Sequence, residues 1–184
     1  MILKPSQTYS FDGIEIILST QSHLPFKILT RPKLPVTSIE IGSRLDIESE
    51  SIQKHLRDLL FTVAKAVAPI LLIEPARLIA MDIGVSPAEW RVSKARKRAL
   101  GTCDSRRIVS FSPLLVFTPE EIRKYITCHE LAHLTHFNHS PLFHNLCNNY
   151  TLQTTGKPEA YFKRKLKEIF RDPTSLAYTL SRGK

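Results

Sequence analysis

The first part of the chain alternates apolar and polar residues, which is the pattern of half-buried β-strands. Residues 8–20 alternate in this way and are rich in β-branched and aromatic side chains, with Asp12 and Gly13 as a turn signal. Residues 36–47 repeat the pattern, and the prolines between the two segments are typical of loops or edge strands. We therefore predict an N-terminal β-rich subdomain over residues 1–47 that forms a small antiparallel unit.

A helical pattern replaces the alternation after this unit, and we predict a second domain over residues 48–184. Apolar residues recur at spacings of three and four over residues 52–67, which is the period of an amphipathic helix. Ser49 can cap the start of this helix, and Pro69 is expected to mark its end. Shorter elements are predicted beyond it: a helical turn over residues 70–77 and strands over residues 78–83, 90–92 and 107–112.

A complete helix start signal occurs at residues 118–121, which read Thr-Pro-Glu-Glu. Thr118 is a good N-cap, Pro119 suits the first helical position, and Glu121 completes a capping box. Apolar residues at helical spacing follow this signal. We therefore expect a helix that packs one face against the core.

Two histidines and a glutamate follow on the predicted helix, within the sequence HELAHLTHFNH at residues 129–139. Residues four apart lie on the same face of an α-helix, so the imidazoles of His129 and His133 can converge on one metal ion. Glu130 lies about 100° around the helix axis. From there its carboxylate can take a proton from a metal-bound water without binding the metal itself. This spacing is that of the H-E-x-x-H zinc metallopeptidases, and it predicts Zn²⁺ as the cofactor.

A catalytic zinc site uses three protein ligands and keeps one position open for water. His139 is our preferred third ligand, because six residues after His133 the chain has room to leave the helix and turn back. His144, in the next predicted helix, is a weaker alternative. His136 lies about 10 Å along the helix axis from His129, which is too far to share an ion with it in an intact helix. Both alternatives are expected to be supporting or surface histidines.

Two other patterns of zinc peptidase can be compared with the sequence. A metzincin has glycine where this chain has His136, and it needs a Met-turn after the motif, whereas both methionines of this chain precede it. That class is excluded. A thermolysin-like site takes an acidic ligand from a later helix, and this alternative stays open. The acidic candidates for it are Glu159, Glu168 and Asp172.

The chain carries 26 Lys and Arg residues against 17 Asp and Glu residues, a formal net charge of +9. Such an excess can indicate a nucleic-acid partner. The basic residues concentrate at 91–107 and 157–171, where neither an aromatic-interleaved groove nor a known nucleic-acid motif accompanies them. A solvated basic surface is therefore the preferred interpretation, and a nucleic-acid partner is possible but not favoured.

The cysteines and the N-terminus indicate the cellular compartment. Cys103, Cys128 and Cys147 are odd in number and widely spaced, which favours reduced thiols over a disulfide framework. The first residues lack the apolar segment of a secretory signal, and no run of about eighteen continuous apolar residues suggests a membrane span. We therefore expect a soluble cytoplasmic protein without a membrane partner. The sequence does not predict its oligomeric state.

The residues around the motif resemble the YgjP-like metallopeptidase family, which is similar in turn to the SprT-like and WLM peptidases. Members of the family carry a helix that ends in H-E-L-x-H, followed by N-H-S and, three residues on, Phe. This chain matches that pattern at residues 129–133, residues 138–140 and Phe143. The Gly-Thr-Cys sequence at residues 101–103 is similar to the end of the family's R-W-G-S-C segment, without its Arg-Trp pair. The resemblance spans roughly residues 49–170.

The resemblance implies an α+β fold of the zincin-like type, in which a small mixed or antiparallel sheet packs on the H-E-x-x-H helix. It also implies hydrolysis of peptide bonds with Glu130 as the general base, so the expected partner is a peptide or protein substrate. Zincins commonly bind the peptide beside an edge strand, and residues 109–112 are the expected edge. Two alternatives stay open: a DNA-associated SprT-like protease that uses the basic runs, and a zinc-binding module without turnover.

Overall fold

A four-stranded mixed sheet occupies the N-terminal part of the computed structural model, which describes residues 1–93 and 99–182. Its strands are β1 (Thr8–Phe11), β2 (Ile14–Gln21), β3 (Ile28–Arg31) and β4 (Val36–Gly42), in the order β1-β2-β4-β3. The predicted strands are confirmed, but the predicted antiparallel unit is wrong, because β2 and β4 are parallel. β3 runs antiparallel to β4 at the edge of the sheet, so it returns the chain to the end of the sheet where β2 began.

A long helical stretch follows the sheet and consists of α1 (Glu50–Ala68), a π-helical segment (Pro69–Ile73) and α2 (Glu74–Ile83). The predicted end of the first helix at Pro69 is confirmed, because α1 ends at Ala68, but the chain stays helical beyond it, since Pro69 has helical dihedral angles of φ −55° and ψ −43°. A proline ring is compatible with this φ, and in the π turn the backbone N–H of Glu74 donates to the carbonyl oxygen of Pro69. The predicted strand over residues 78–83 is wrong, since these residues belong to α2. A short apolar run does not distinguish a strand from a helix.

The stretch Glu50–Ile83 is long and apolar enough to cross a membrane by length and composition alone, with a mean hydropathy of 1.7 in its most apolar window. Half of that window is buried inside the protein. A core helix of a soluble protein has the same properties, so the stretch is weak evidence for a membrane span.

A three-stranded sheet follows α2 and contains β5 (Glu89–Val92), β6 (Gly101–Cys103) and β7 (Ile108–Phe111), in the order β5-β7-β6. The strands predicted over residues 90–92 and 107–112 are confirmed. The predicted peptide-binding edge at residues 109–112 is wrong, because β7 pairs with β5 on one side and with β6 on the other. Among the described strands of this sheet, β5 and β6 are the edges. Part of the first basic run, residues 94–98, lies outside the described residues.

The central helix of the second half is α3 (Glu120–Ala132), which follows a 3₁₀ turn (Pro113–Phe117). After it come α4 (Pro141–Thr155), α5 (Glu159–Ile169) and α6 (Leu176–Ser181). α3 packs against α2, α4, α5 and β6. The helix that carries the H-E-x-x-H motif therefore lies between the small second sheet and the C-terminal helices, and the predicted α+β fold is confirmed.

The start of α3 is capped by a residue that is distant in sequence. Pro119 is the N-cap, and Thr118 donates its hydroxyl to a carbonyl oxygen of the preceding turn, so the predicted capping box is wrong. Asp12, in the β1–β2 turn, accepts a hydrogen bond from the backbone N–H of Glu120 at 2.7 Å. Arg123 donates to the backbone oxygen of Asp12 at 2.5 Å. These contacts attach the first sheet to the start of the motif helix.

A large cluster of buried apolar side chains joins both sheets and several helices. Its members include Ile16 of β2, Leu60 of α1, Val109 of β7 and Phe143 of α4, all of them fully buried. The cluster contains residues from both sides of the domain boundary that the sequence analysis places after residue 47. That boundary stays a prediction.

Candidate metal centre

The last turn of α3 places the first two predicted ligands one above the other. α3 ends at Ala132, and His133 follows as the C-cap with helical dihedral angles of φ −66° and ψ −17°. The four-residue spacing therefore keeps its helical geometry, and the ring centroids of His129 and His133 lie 5.0 Å apart. This arrangement is the one that the sequence spacing predicted.

A tight turn after α3 brings the third predicted ligand back to the first. The backbone N–H groups of Thr135 and His136 both donate to the carbonyl oxygen of Ala132, which ends the helix. Ser140 then caps α4 by accepting a hydrogen bond from the backbone of Phe143 at 3.3 Å. Between these two points the chain reverses, so His139 lies against α3.

The three histidines form one group. Nε2 of His139 lies 3.2 Å from Nε2 of His129, and one ligand nitrogen from each of His129, His133 and His139 lies within 4.8 Å of the other two. Phe143 is fully buried below them, and its ring centroid lies 4.9, 4.4 and 4.7 Å from the centroids of those three rings, in that order. The apolar ring of Phe143 therefore packs against all three histidines of the group.

The ring of His133 is held in one orientation by a backbone group. Nδ1 of His133 lies 3.0 Å from the carbonyl oxygen of His136, which can only accept, so Nδ1 carries the proton. Nε2 is then the unprotonated nitrogen and is free to bind a metal ion. His136 contributes its carbonyl oxygen here, while its side chain is outside the histidine group. No pattern of residue types could have indicated this role, because any residue supplies a carbonyl.

Burial keeps the inner imidazoles neutral. Burial, followed by the neighbouring His133 and His139, lowers the pKa of His129 to about 3. Burial also lowers the pKa of His133. A histidine binds a metal through an unprotonated nitrogen, so both rings are in the correct protonation state at neutral pH.

Glu130 projects from α3 towards the edge strand β6. Its surface is 4% exposed, and burial raises the pKa of its carboxyl to about 8. A Cβ atom at Gly101 would lie only 2.5 Å from Oε1 and 2.6 Å from Cγ of Glu130. The absence of a side chain at Gly101 therefore creates the space for the Glu130 carboxylate. The sequence analysis missed this contact, although a glycine inside a strand can mark a close approach of another group.

The remaining candidates for the third ligand lie elsewhere. Nδ1 of His144 lies 3.1 Å from Oε2 of Glu159, and His144 is outside the histidine group. Glu159 can form a ligand group with His129 and Cys147, but not with His133. Among the described residues, no group combines both motif histidines with a carboxylate, so the geometry disfavours the thermolysin-like alternative.

The donor set fits a metal ion of the zinc type. Zn–N bonds of about 2.0–2.1 Å in a tetrahedral site place two ligand nitrogens about 3.4 Å apart. The separation of 3.2 Å between the Nε2 atoms of His129 and His139 is close to that value. His139 is exposed, so solvent reaches the group at this histidine. Three nitrogen donors with one open side are the arrangement of catalytic zinc sites.

Many described residues of the two basic runs are engaged with other groups. Arg91 pairs with Glu89, and Arg106 pairs with Asp104. In the second run, Lys157 and Lys165 pair with Glu121, and Lys163 pairs with Glu159. These pairs reduce the positive charge that the described part of the surface presents to a phosphate.

The family comparison agrees with this geometry. A family model described as YgjP-like, metallopeptidase domain matches residues 3–159, so it includes the first sheet as well as the histidine group. No curated protein and no solved structure significantly matches the chain. The match covers well over half of the 184 residues. The chain therefore belongs to the YgjP-like metallopeptidase family.

Proposed function

We propose that this protein is a zinc-dependent metallopeptidase that hydrolyses peptide bonds. His129, His133 and His139 would hold the ion, and Glu130 would be the general base. The observation that carries this proposal is the convergence of three histidine nitrogens within 4.8 Å of one another. Family membership independently implies a metal-dependent peptide hydrolase.

The residues of the chain have separate tasks in this proposal. A bound zinc ion would supply Lewis acidity, which lowers the pKa of a water ligand and polarises the scissile carbonyl. Glu130 would be ionised beside a bound cation, whose charge opposes the rise in pKa that burial causes, so its carboxylate would remove a proton from the attacking water and later deliver a proton to the leaving amine. Its enclosed position beside Gly101 limits the movement of its carboxylate. Phe143 and the carbonyl of His136 keep the histidine rings in place.

The peptide would lie beside β6 rather than beside β7. β6 is an edge among the described strands, and Gly101 in it contacts Glu130. An extended peptide that adds to the free edge of β6 would form backbone hydrogen bonds along that strand. Its carbonyl groups would then pass close to Glu130. This placement replaces the edge that the sequence pattern suggested.

The free thiols and the ion pairs bear on the cellular location and the partners. Cys103, Cys128 and Cys147 are all free thiols, which fits a reducing compartment such as the cytoplasm. The ion pairs within both basic runs support a peptide substrate over a nucleic-acid partner. We therefore propose a cytoplasmic peptidase whose activity does not need DNA.

The replacement Glu130→Gln tests the proposed mechanism. This variant should fold and bind zinc like the wild type, because Glu130 is outside the histidine group. Its rate of hydrolysis of a general peptide substrate should fall by about 10²- to 10⁴-fold or more, since it loses both proton transfers. Zinc content measured on the same samples is the control. Cleavage by the variant at the wild-type rate would refute the role of Glu130 and favour a different mechanism.

A further inference from the structure

A buried nitrogen of the metal centre lacks a partner among the described residues. Nδ1 of His129 is inaccessible to solvent and forms no hydrogen bond with them. Nε2 of the same ring lies 3.2 Å from Nε2 of His139. When Nε2 binds a metal, Nδ1 carries the proton, and a buried N–H group needs an acceptor. His133 already has such an acceptor in the carbonyl of His136.

Two buried groups lie near a ring nitrogen of His129. A ligand nitrogen of His129 lies within 4.8 Å of both the thiol of Cys147 and a carboxylate oxygen of Glu159. Both residues are buried, as Nδ1 is. A thiol is a weak acceptor, whereas a carboxylate offers about four acceptor positions. Glu159 is therefore the stronger candidate.

Glu159 is held in place by several contacts of its own. Its side chain is 8% exposed, and its carboxylate binds Nδ1 of His144 at 3.1 Å and Nζ of Lys163 at 2.8 Å. Its backbone N–H donates to Oδ1 of Asn148 at 3.0 Å at the start of α5. The charge of Lys163 balances that of the buried carboxylate. These two contacts leave acceptor capacity on the carboxylate for a further donor.

We propose that Glu159 is a positioning residue of the metal centre, whose carboxylate accepts the Nδ1–H of His129 when that histidine binds a metal ion. Glu159 fixes the orientation of the ring and increases its affinity for the ion without being a ligand. The proposal rests on the proposed function. Through Glu159, helix α5 would help to position a metal ligand, although α5 lies outside the H-E-x-x-H motif.

Zinc affinity of the full-length protein tests this role without any measurement of peptidase activity. The dissociation constant for Zn²⁺ is measured by competition with a chromophoric chelator. Glu159→Ala should weaken binding by about 10- to 100-fold, which is the usual effect of losing an acceptor behind a metal-binding histidine. Glu159→Gln keeps an amide oxygen as an acceptor and should show a smaller loss. Because it also keeps the shape of the side chain, it carries the test if the alanine variant fails to fold.

Two matched variants distinguish a positioning role for Glu159 from a general loss of packing, and two spectra distinguish it from metal ligation. Cys147→Ala removes the competing acceptor, and His144→Ala removes the other histidine that Glu159 contacts. Both should bind Zn²⁺ as the wild type does.

The visible spectrum of Co²⁺ at saturation should be the same in wild type and Glu159→Ala, because the three ligands are unchanged. The Nδ1–H signal of His129 in a ¹⁵N–¹H spectrum of the zinc-loaded protein should be protected from exchange in the wild type and lost in Glu159→Ala.

Each opposite result has a distinct meaning. Unchanged Zn²⁺ affinity in Glu159→Ala, or an equal loss in Cys147→Ala or His144→Ala, would overturn the role of Glu159 alone. A changed Co²⁺ spectrum in Glu159→Ala would show that Glu159 is a ligand, which contradicts positioning. A wild-type protein that binds neither Zn²⁺ nor Co²⁺ would overturn both this inference and the proposed function.

Discussion

Gly101 and Glu130 show how a single missing side chain can shape the site. The carboxylate of Glu130 occupies the space where a Cβ atom at Gly101 would lie, at 2.5 Å from Oε1. The obstacle is the functional carboxylate itself, so a side chain at this position must displace it. Gly101 is therefore tied to the proposed chemistry through packing alone.

We predict that Gly101→Ala uncouples metal binding from hydrolysis. The added methyl group should push the Glu130 carboxylate out of position, and activity should fall by about 10²-fold or more, in line with the loss of a positioned base. Zinc binding should be retained, because the three atoms nearest to the added methyl group all belong to Glu130 and none to a histidine of the group. Parallel assays of kcat/KM and zinc content provide the measurement. Thr102→Ala on the same strand is the control, and wild-type activity in Gly101→Ala would contradict the account.

The histidines that follow Glu130 should differ sharply in their contributions to zinc affinity. We expect His133→Ala to abolish tight binding, and His139→Ala to weaken it strongly, because each supplies a nitrogen to the group. His136→Ala should bind zinc almost normally, since only its backbone carbonyl contacts His133. Chelator competition on the three variants measures this ranking. Near-stoichiometric zinc in purified His139→Ala would disprove the choice of third ligand.

The arrangement of the residues on the motif helix could be predicted from the sequence, whereas the contacts that hold these residues in place could not. The spacing of His129, Glu130 and His133 follows from helix geometry, so their arrangement could be inferred from the sequence alone. The roles of Gly101, Phe143 and the His136 carbonyl depend on which segments meet in three dimensions. Neither the spacing nor the type of these residues specifies such tertiary contacts.

Among the elements, α3 depends on a contact from the other end of the chain. Its first free N–H groups are not satisfied by the local capping box, because Pro119 lies at the N-cap and has no acceptor in its side chain. Asp12 supplies the acceptor from the β1–β2 turn. The first sheet therefore helps to fix the start of the helix that carries the proposed metal ligands.

We predict that Asp12→Ala lowers the free energy of unfolding by about 1 kcal/mol, the usual effect of losing an N-cap acceptor. Asp12→Asn should retain most of the stability, because asparagine caps a helix about as well as aspartate. Urea denaturation followed by circular dichroism measures both variants. Equal stability of Asp12→Ala and the wild type would show that this contact does not stabilise α3.

Errors at the level of elements have a common physical origin. The strand over residues 78–83 and the capping box at residues 118–121 were both inferred from short windows of sequence. In both cases the surrounding structure selected another local conformation: a continued helix and a distant cap. The alternating strands and the helix after Ser49 were predicted correctly, because their patterns extend over more residues.

At the scale of the whole molecule, the positive charge raises the question of a nucleic-acid partner. The net charge is +9, but the described residues of both basic runs form several ion pairs with acidic groups. Lys94, Arg96, Lys97 and Arg98 lie outside the described residues, so their contribution must be tested in solution.

We predict only weak, non-specific DNA binding near physiological salt, and peptidase activity that is independent of DNA. If the first run did bind phosphates, replacement of Lys94, Arg96, Lys97 and Arg98 by Ser would flatten the salt dependence of binding by about three to four units. Fluorescence anisotropy across a salt series measures this slope. Submicromolar binding at about 150 mM salt, or DNA-stimulated cleavage, would move the protein towards the SprT-like alternative.

The fold class could also be predicted, whereas the extent of the family domain could not. The residues that resemble the family lie roughly between residues 49 and 170, yet the family match begins at residue 3. The first sheet shares its buried face with the core and caps α3 through Asp12. Such contacts connect residues more than a hundred positions apart. The local pattern of residues 8–47 therefore does not indicate that they pack against the motif domain.

Anomalous scattering at the zinc absorption edge, measured on crystals of the purified protein together with its zinc content, tests the central claim most directly. The account predicts near-stoichiometric zinc and an anomalous peak bound by His129, His133 and His139, with Glu130 beside it and outside the ligand set. A peak at His129, Cys147 and Glu159, or no zinc at the three histidines, would contradict it.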